Sequence, residues 1–346
     1  MNSMKELVKT DRGRRLARTH GVVVILCGIL LFTLLVSMNT GQIRLSPFDT
    51  LRTLFGGGSG KENLVLFQFR LPRIVISILV GAGLSISGRI IQAVLGNSLA
   101  DPGLLGIHAG AGFAVTMYVL FLGTQSFLSV FTMPFIAMAG GGVTSFFIYI
   151  LAYARRREAS PVRLILVGVA LQAGLTALTT VTVVRLDETQ YNFVAAWQAG
   201  TIWGANWNYV MALLPWIFIL GFYVWSKALV LDVLSLGEEV AGGLGISVSR
   251  QRIFLLSSAV ALAGSCVAVS GGIGFVGLIA PHLAAKLVGS RHQILLPVCA
   301  LTGSVLVLAA DTVGRTIVQP SELPAGLVTA VIGAPYFLYL LRKRRN

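Results

Sequence analysis

Between Asp101 and Arg155 the chain runs for 53 residues without one Asp, Glu, Lys or Arg. A helix of roughly 20 residues already crosses the ~30 Å hydrocarbon layer of a bilayer at 1.5 Å per residue. This run therefore holds two crossings, with the turn predicted at Gly123-Thr124-Gln125-Ser126. Further charge-free runs cover residues 19–43, 74–88, 164–184, 189–226, 253–285, 292–310 and 323–341. The run 253–285 also holds two crossings, broken at Ser270-Gly271-Gly272. Lipid offers the backbone no hydrogen-bond partners, so each crossing is a helix. The reading is an all-α polytopic membrane protein of about ten transmembrane helices. They are placed near 21–38, 72–95, 103–122, 128–153, 161–184, 207–226, 251–269, 274–289, 295–317 and 324–341, in one transmembrane domain spanning 1–346.

Composition agrees and removes competitors. Only 12% of residues are charged and 55% are hydrophobic, against about 25% charged in a soluble domain. Cys27, Cys266 and Cys299 all lie in apolar runs and read as small buried hydrophobes, not as a disulfide or metal set. The net charge of +14 does not indicate nucleic acid, because the basic residues gather at the ends of apolar runs. With a cytoplasmic N-terminus, 19 of the 27 Lys and Arg fall inside and seven outside, and Arg89 lies within a span. That bias predicts both termini in the cytoplasm, with a basic N-terminus over 1–20 and a basic tail over 342–346. The first apolar run is too long for an ordinary secretory leader and is read as an uncleaved helix. Arg70, Arg73 and Arg315 go against the trend, at the outer ends of spans.

Pro72, Pro102, Pro161 and Pro324 stand near helix starts, where the missing N–H costs nothing. Asp101 and Ser160 precede two of them as N-caps. Pro281 and Pro335 fall inside spans. Gly81, Gly83, Ser85, Ser87 and Gly88 form a stripe of small residues, read as close helix packing.

Catalytic chemistry has no foothold. The histidines are His20, His108, His282 and His292, without metal-ligand spacing. The stretch from Gly272 to Gly277 matches G-x-G-x-x-G, but it is embedded in an apolar run with no strand before it. Gly56-Gly57-Gly58-Ser59-Gly60-Lys61 fails the phosphate-loop register, since Glu62 follows the lysine. The chain is therefore read as no enzyme, with no catalytic residue, metal or cofactor of its own. Energy for uphill transport would enter through a partner.

Four segments are more informative. They are Phe69-Arg70-Leu71-Pro72-Arg73; Asn97-Ser98-Leu99-Ala100-Asp101-Pro102-Gly103-Leu104-Leu105-Gly106; Leu236-Gly237-Glu238-Glu239-Val240-Ala241-Gly242-Gly243-Leu244-Gly245; and the run from Gly271 to His282, followed by Ala310-Asp311, Glu322-Leu323-Pro324 and Gly333-Ala334-Pro335. In this order and spacing the chain resembles the FecCD-type permeases of iron-siderophore and cobalamin importers. It departs from them at Asn97-Ser98, where many relatives carry Asn-Pro, and at Gly242-Gly243, where a bulkier or charged pair is usual.

The resemblance implies a type II ABC importer permease fold in the bacterial cytoplasmic membrane. It implies a second permease subunit, identical or paralogous, two cytoplasmic ATPase subunits, and an extracellular or periplasmic binding protein. The cargo would be an iron(III)-siderophore chelate, with cobalamin or haem as the alternative. The metal arrives wrapped, so no iron ligands are expected here. Arg70, Arg73 and Arg315 would form an exposed basic patch that docks the binding protein, or else anchor helices at the headgroups. Arg315 also stands four residues after Asp311, the spacing of a helical ion pair. Residues 231–250 form a cytoplasmic connection whose segment Leu236 to Gly245 would couple to the ATPase. Gln172, Thr176, Thr179 and Thr180 would line the pathway or bond between helices. Trp197, Gly200 and Trp203 would form an outer gate or an aromatic belt. Arg89 would reach the cytoplasmic side or pair with Asp101. A different class, the ion-coupled secondary transporter, needs acids at the membrane midplane, and only Asp311 offers itself.

Overall fold

The computed structural model describes residues 2–41, 46–123, 129–152, 161–202, 204–318 and 321–345. The predicted N-cap Ser160 and the turn residues Thr124, Gln125 and Ser126 lie outside them. The helices are α1 (Asn2–Asn39), α2 (Pro47–Leu54), α3 (Gly60–Asn63), α4 (Leu71–Leu95), α5 (Ile107–Leu122), α6 (Ser129–Ala152), α7 (Pro161–Val183), α8 (Glu188–Gln198), α9 (Trp207–Ser226), α10 (Ala228–Leu234), α11 (Glu238–Gly243), α12 (Val248–Ser270), α13 (Val276–Val288), α14 (His292–Ile317) and α15 (Ala325–Arg345). A π-helical stretch, Leu64–Arg70, joins α3 to α4, and a 3₁₀ turn, Pro102–Leu105, precedes α5. Among the described residues, eight helical segments are long and apolar enough to cross a membrane. The shorter apolar helices α5 and α13 stand where the remaining two crossings were expected.

The boundaries follow from local chemistry. The Asp101 carboxylate accepts from Gly103 N at 2.8 Å and opens the turn into α5. Asp187 and Gln190 form a reciprocal capping box on α8. Asn206 caps α9 through Tyr209 N. The break expected at Ser270-Gly271-Gly272 is the end of α12.

The bundle has a wrapped core and a lipid-facing shell. In the segment Gly60–Leu95, 78% of the most apolar stretch is buried by other helices, against 17% for α1 and for α7. Helix α4 packs against α14, α12, α13 and α9. Small residues make that possible. A methyl group at Gly81 would lie 2.2 Å from the Gly303 carbonyl oxygen on α14, and one at Gly88 would lie 1.9 Å from the Gly277 carbonyl oxygen on α13. The backbones are nearly touching, which is how helices gain dispersion energy in lipid. On the shell, Phe218, Ile219 and Phe222 of α9 point outward, as side chains facing acyl chains do.

Candidate functional site

One end of the bundle is organised by arginines. Arg73, in the first turn of α4, donates from Nε to Asp311 Oδ1 at 3.0 Å and from Nη2 to the same oxygen at 2.8 Å. Its Nη1 donates to Glu322 Oε2 at 2.8 Å. Arg315 Nε lies 3.1 Å from Asp311 Oδ2, the helical pair that the spacing predicted. Arg315 also donates from Nη2 to Ser37 Oγ at 2.6 Å and from Nη1 to Thr40 O at 3.3 Å. Arg70 donates to the Met38 carbonyl at the end of α1. A side chain at Gly41 would press on the Arg70 guanidinium, and the φ of +147° there suits glycine.

This corrects the expected exposed patch. Arg70 and Arg315 are each 5% exposed, Arg73 12% and Asp311 1%. A guanidinium this enclosed stays charged by finding partners inside the chain, because an unpaired charge there is too costly. The three arginines instead join the end of α1, the start of α4, the end of α14 and the Glu322 loop. The π-helical stretch contributes to their placement. Leu71 N bonds Leu66 O, one residue further back than in an α-helix, and Pro72 has no N–H to give. Among the described residues, Arg52, Lys61 and Arg185 are exposed basic side chains at this end.

A polar cavity of about 390 Å³ opens between α5, α7 and α8. Gln172, Thr176, Thr179 and Thr180 of α7 all line it, facing His108 of α5 and Trp197 and Gln198 of α8. Thr179 Oγ1 donates to Leu175 O at 2.8 Å and Thr180 Oγ1 to Thr176 O at 2.9 Å. Their hydroxyl protons are used within the helix, so the oxygens are left as acceptors. Trp197 is 5% exposed, and its Nε1 has no partner among the described residues. The end of α8 is stitched down behind the cavity. Gly272 N donates to Trp197 O at 3.3 Å, and Gly326 N to Gly200 O at 2.9 Å. Gly200 has φ +80° and no room for a side chain against Gly272 and Ile273. Trp203 lies outside the described residues.

The opposite end carries a second arginine link. Arg89 Nε donates to His292 Nε2 at 3.0 Å, so of the two expectations for Arg89 the pairing with Asp101 gives way to one with α14. His292 Nδ1 is 2.6 Å from Asp232 Oδ1 on α10, and that oxygen also accepts from His292 N at 2.9 Å. Next in sequence, Gly237 at φ +110° turns the chain into the short helix α11. Leu236 and Leu244 are each 64% exposed and Val240 47%, while Ala241 is fully buried. Val240 on α11 and Leu236 and Leu244, which flank it, are thus apolar side chains left exposed on this segment. In the sequence His292 stood out only as a histidine without metal-ligand spacing and Glu322 only as part of a motif, and neither these two nor Asp232 and Ser37 were given the partners seen here.

Known proteins resemble the chain along nearly its whole length. The FecCD transport family model matches residues 29–343. The iron(3+)-hydroxamate import system permease protein FhuG of Bacillus subtilis (strain 168) is 48% identical over 319 residues, covering 91% of this chain and 94% of that protein. The Fe(3+)-citrate import system permease protein YfmE of the same organism is 43% identical over 334 residues, covering 96% and 98%. A solved structure described as an inward-facing conformation of a metal-chelate type ABC transporter superposes with a TM-score of 0.80 at 29% identity, covering 94% of this chain and 98% of that one.

Proposed function

The chain belongs to the FecCD transport family, and we propose that it is the membrane-spanning subunit of an ATP-driven importer for iron(III)-siderophore chelates, with ferric hydroxamates as the leading cargo. The observation that carries the cargo class is the 48% identity, over 91% of the chain, to an iron(3+)-hydroxamate permease. The chain works in the bacterial cytoplasmic membrane beside a second permease subunit, with both termini in the cytoplasm. Two cytoplasmic ATPase subunits supply the energy, and an external binding protein delivers the chelate.

Each piece of geometry has a task in this reading. The end that carries Arg73 faces outward and the end that carries Arg89 faces the cytoplasm, in line with the distribution of Lys and Arg. The α5–α7–α8 cavity is this chain's share of the pathway. Its acceptor-rich wall suits a wrapped metal complex, which needs hydrogen-bonding tolerance rather than coordination. Helix α7, only 17% buried in its apolar stretch, has a face to give to the second permease. The segment with exposed Leu236, Val240 and Leu244 is the coupling contact, offering apolar side chains to a groove in the ATPase. Arg70, Arg73 and Arg315 brace the outer rim from within, and Arg52, Lys61 and Arg185 offer the surface charge that steers an acidic binding protein. The ion-coupled alternative loses its acid, because Asp311 is fixed between Arg73 and Arg315 and has no open route to water.

The test is uptake of radiolabelled iron in a strain lacking this gene, supplied as ferric hydroxamate, ferric citrate or haem. Loss confined to ferric hydroxamate and restored by the gene is the expected result. Intact hydroxamate uptake beside loss of another chelate would reassign the cargo.

A further inference from the structure

Helices α4 and α14 are joined at both ends and in the middle. Arg73 bonds Asp311 at one end, Gly81 meets Gly303 midway, and Arg89 bonds His292 at the other end. Arg73 and Arg89 are 16 residues apart, or about 24 Å along the helix. The two helices are thus a strapped pair that reaches across the membrane and has little freedom to shear. Asp232 is attached to this pair from outside it. It sits on α10, which also packs on α4, α14 and α11. Ala228 and Leu231, on the same short helix, are buried, so a push on α10 displaces Asp232 with it.

The protons in the triad are fixed by elementary donor counting. Arginine donates and does not accept, so His292 Nε2 is an acceptor and carries no hydrogen. The ring proton therefore resides on Nδ1, where it faces Asp232 Oδ1 at 2.6 Å. The Asp232 side chain is 28% exposed, and the His292 side chain is fully buried. Negative charge on Asp232 thus reaches the Arg89 guanidinium through a neutral imidazole. When Asp232 withdraws, His292 loses its acceptor and Arg89 loses its compensating charge. The α4–α14 pair is therefore held at this end by a contact whose strength depends on where Asp232 sits, and it moves as one unit.

We infer that Asp232, His292 and Arg89 form a positioning relay through which displacement of the α10–α11 connection is passed to the α4–α14 pair, and so to the outer rim. The inference rests on the reading above that α11 meets the ATPase. It assigns these residues no contact with the chelate.

The test uses the complete transporter in liposomes, with its ATPase and binding protein, and a ferric trihydroxamate as probe. Chelate imported per ATP hydrolysed is measured for each properly assembled complex. Asp232→Asn keeps the shape but removes the charge, and His292→Leu removes both ring nitrogens. Each lowers the ratio about ten-fold, the size of an ordinary coupling effect, while ATP hydrolysis continues. His292→Gln restores most of the ratio, since its amide oxygen can accept from Arg89 while its nitrogen donates to Asp232. A purely structural role would lower the yield of assembled complex and leave the ratio alone. Should Asp232→Asn fail to assemble, the comparison of His292→Gln with His292→Leu decides, because neither replaces a charged residue. Wild-type uptake that ignores ATP would overturn the importer reading itself. ATP-driven wild-type uptake with unchanged ratios in the variants would overturn the relay alone.

Discussion

Replacing Asp311 by Asn tests what the buried arginines Arg73 and Arg315 are for. The carboxylate is 1% exposed and serves two guanidinium groups, Arg73 at 2.8 Å and Arg315 at 3.1 Å. Removing one partner of a buried pair costs about 3–5 kcal/mol, because the other charge stays behind. Two features moderate this cost. Arg73 retains Glu322, and Arg315 retains Ser37 and Thr40. The asparagine oxygen also still accepts a hydrogen bond. We therefore expect a loss near the lower bound, about 3 kcal/mol, a large fraction of the roughly 5–15 kcal/mol that stabilises a domain. Glu322→Gln removes a 25% exposed acid and should cost no more than about 1 kcal/mol. Thermal unfolding of the detergent-solubilised protein reads both. Adding Arg315→Met to Asp311→Asn should recover part of the loss, since the stranded cation is gone. Equal stabilities for Asp311→Asn and the wild type would refute the reasoning. So would a double variant that is no more stable than Asp311→Asn alone.

Three further outcomes follow from the same geometry. Reversing Arg52 and Lys61 together to Glu should slow binding-protein-dependent uptake and weaken its dependence on salt, with thermal stability unchanged; stimulated uptake that is insensitive to the reversal would remove the steering role. Leu236→Asp with Leu244→Asp should abolish co-purification with the ATPase subunits while leaving the helical spectrum intact, because both side chains are 64% exposed in this chain. Trp197→Phe keeps the ring but deletes the indole N–H that has no partner here, so a cavity role predicts altered preference among ferric chelates, read by competition uptake; an unchanged preference would reduce Trp197 to packing.

The crossings were legible because charge is so scarce. A Lys or Arg marks a helix end, and the breaks at Gly123 and at Ser270 came from turn-forming residues inside otherwise unbroken apolar runs. The Asp311–Arg315 pair was legible too, since four residues is one helical turn. The polar stripe of α7 was visible for the same reason, and the structure turns it onto one cavity. What the chain did not disclose is which way a residue near a helix end points. Arg73 and Asp311 are 238 residues apart, and Arg89 and His292 are 203 apart. Nothing local distinguishes an arginine that reaches water from one that turns inward to a distant acid. The π-helical stretch before Pro72 was likewise hidden, as it shifts register without changing hydropathy.

Helix α4 is shielded from lipid on most of its surface, and the neighbours that shield it are made late. During synthesis it enters the bilayer with Arg89 uncovered, and the ring that receives this arginine lies some two hundred positions downstream. The nascent protein must therefore hold an unfinished, polar-bearing helix at the translocon or in lipid until α12, α13 and α14 emerge. Truncation anywhere before residue 292 would leave Arg89 without the imidazole it bonds here.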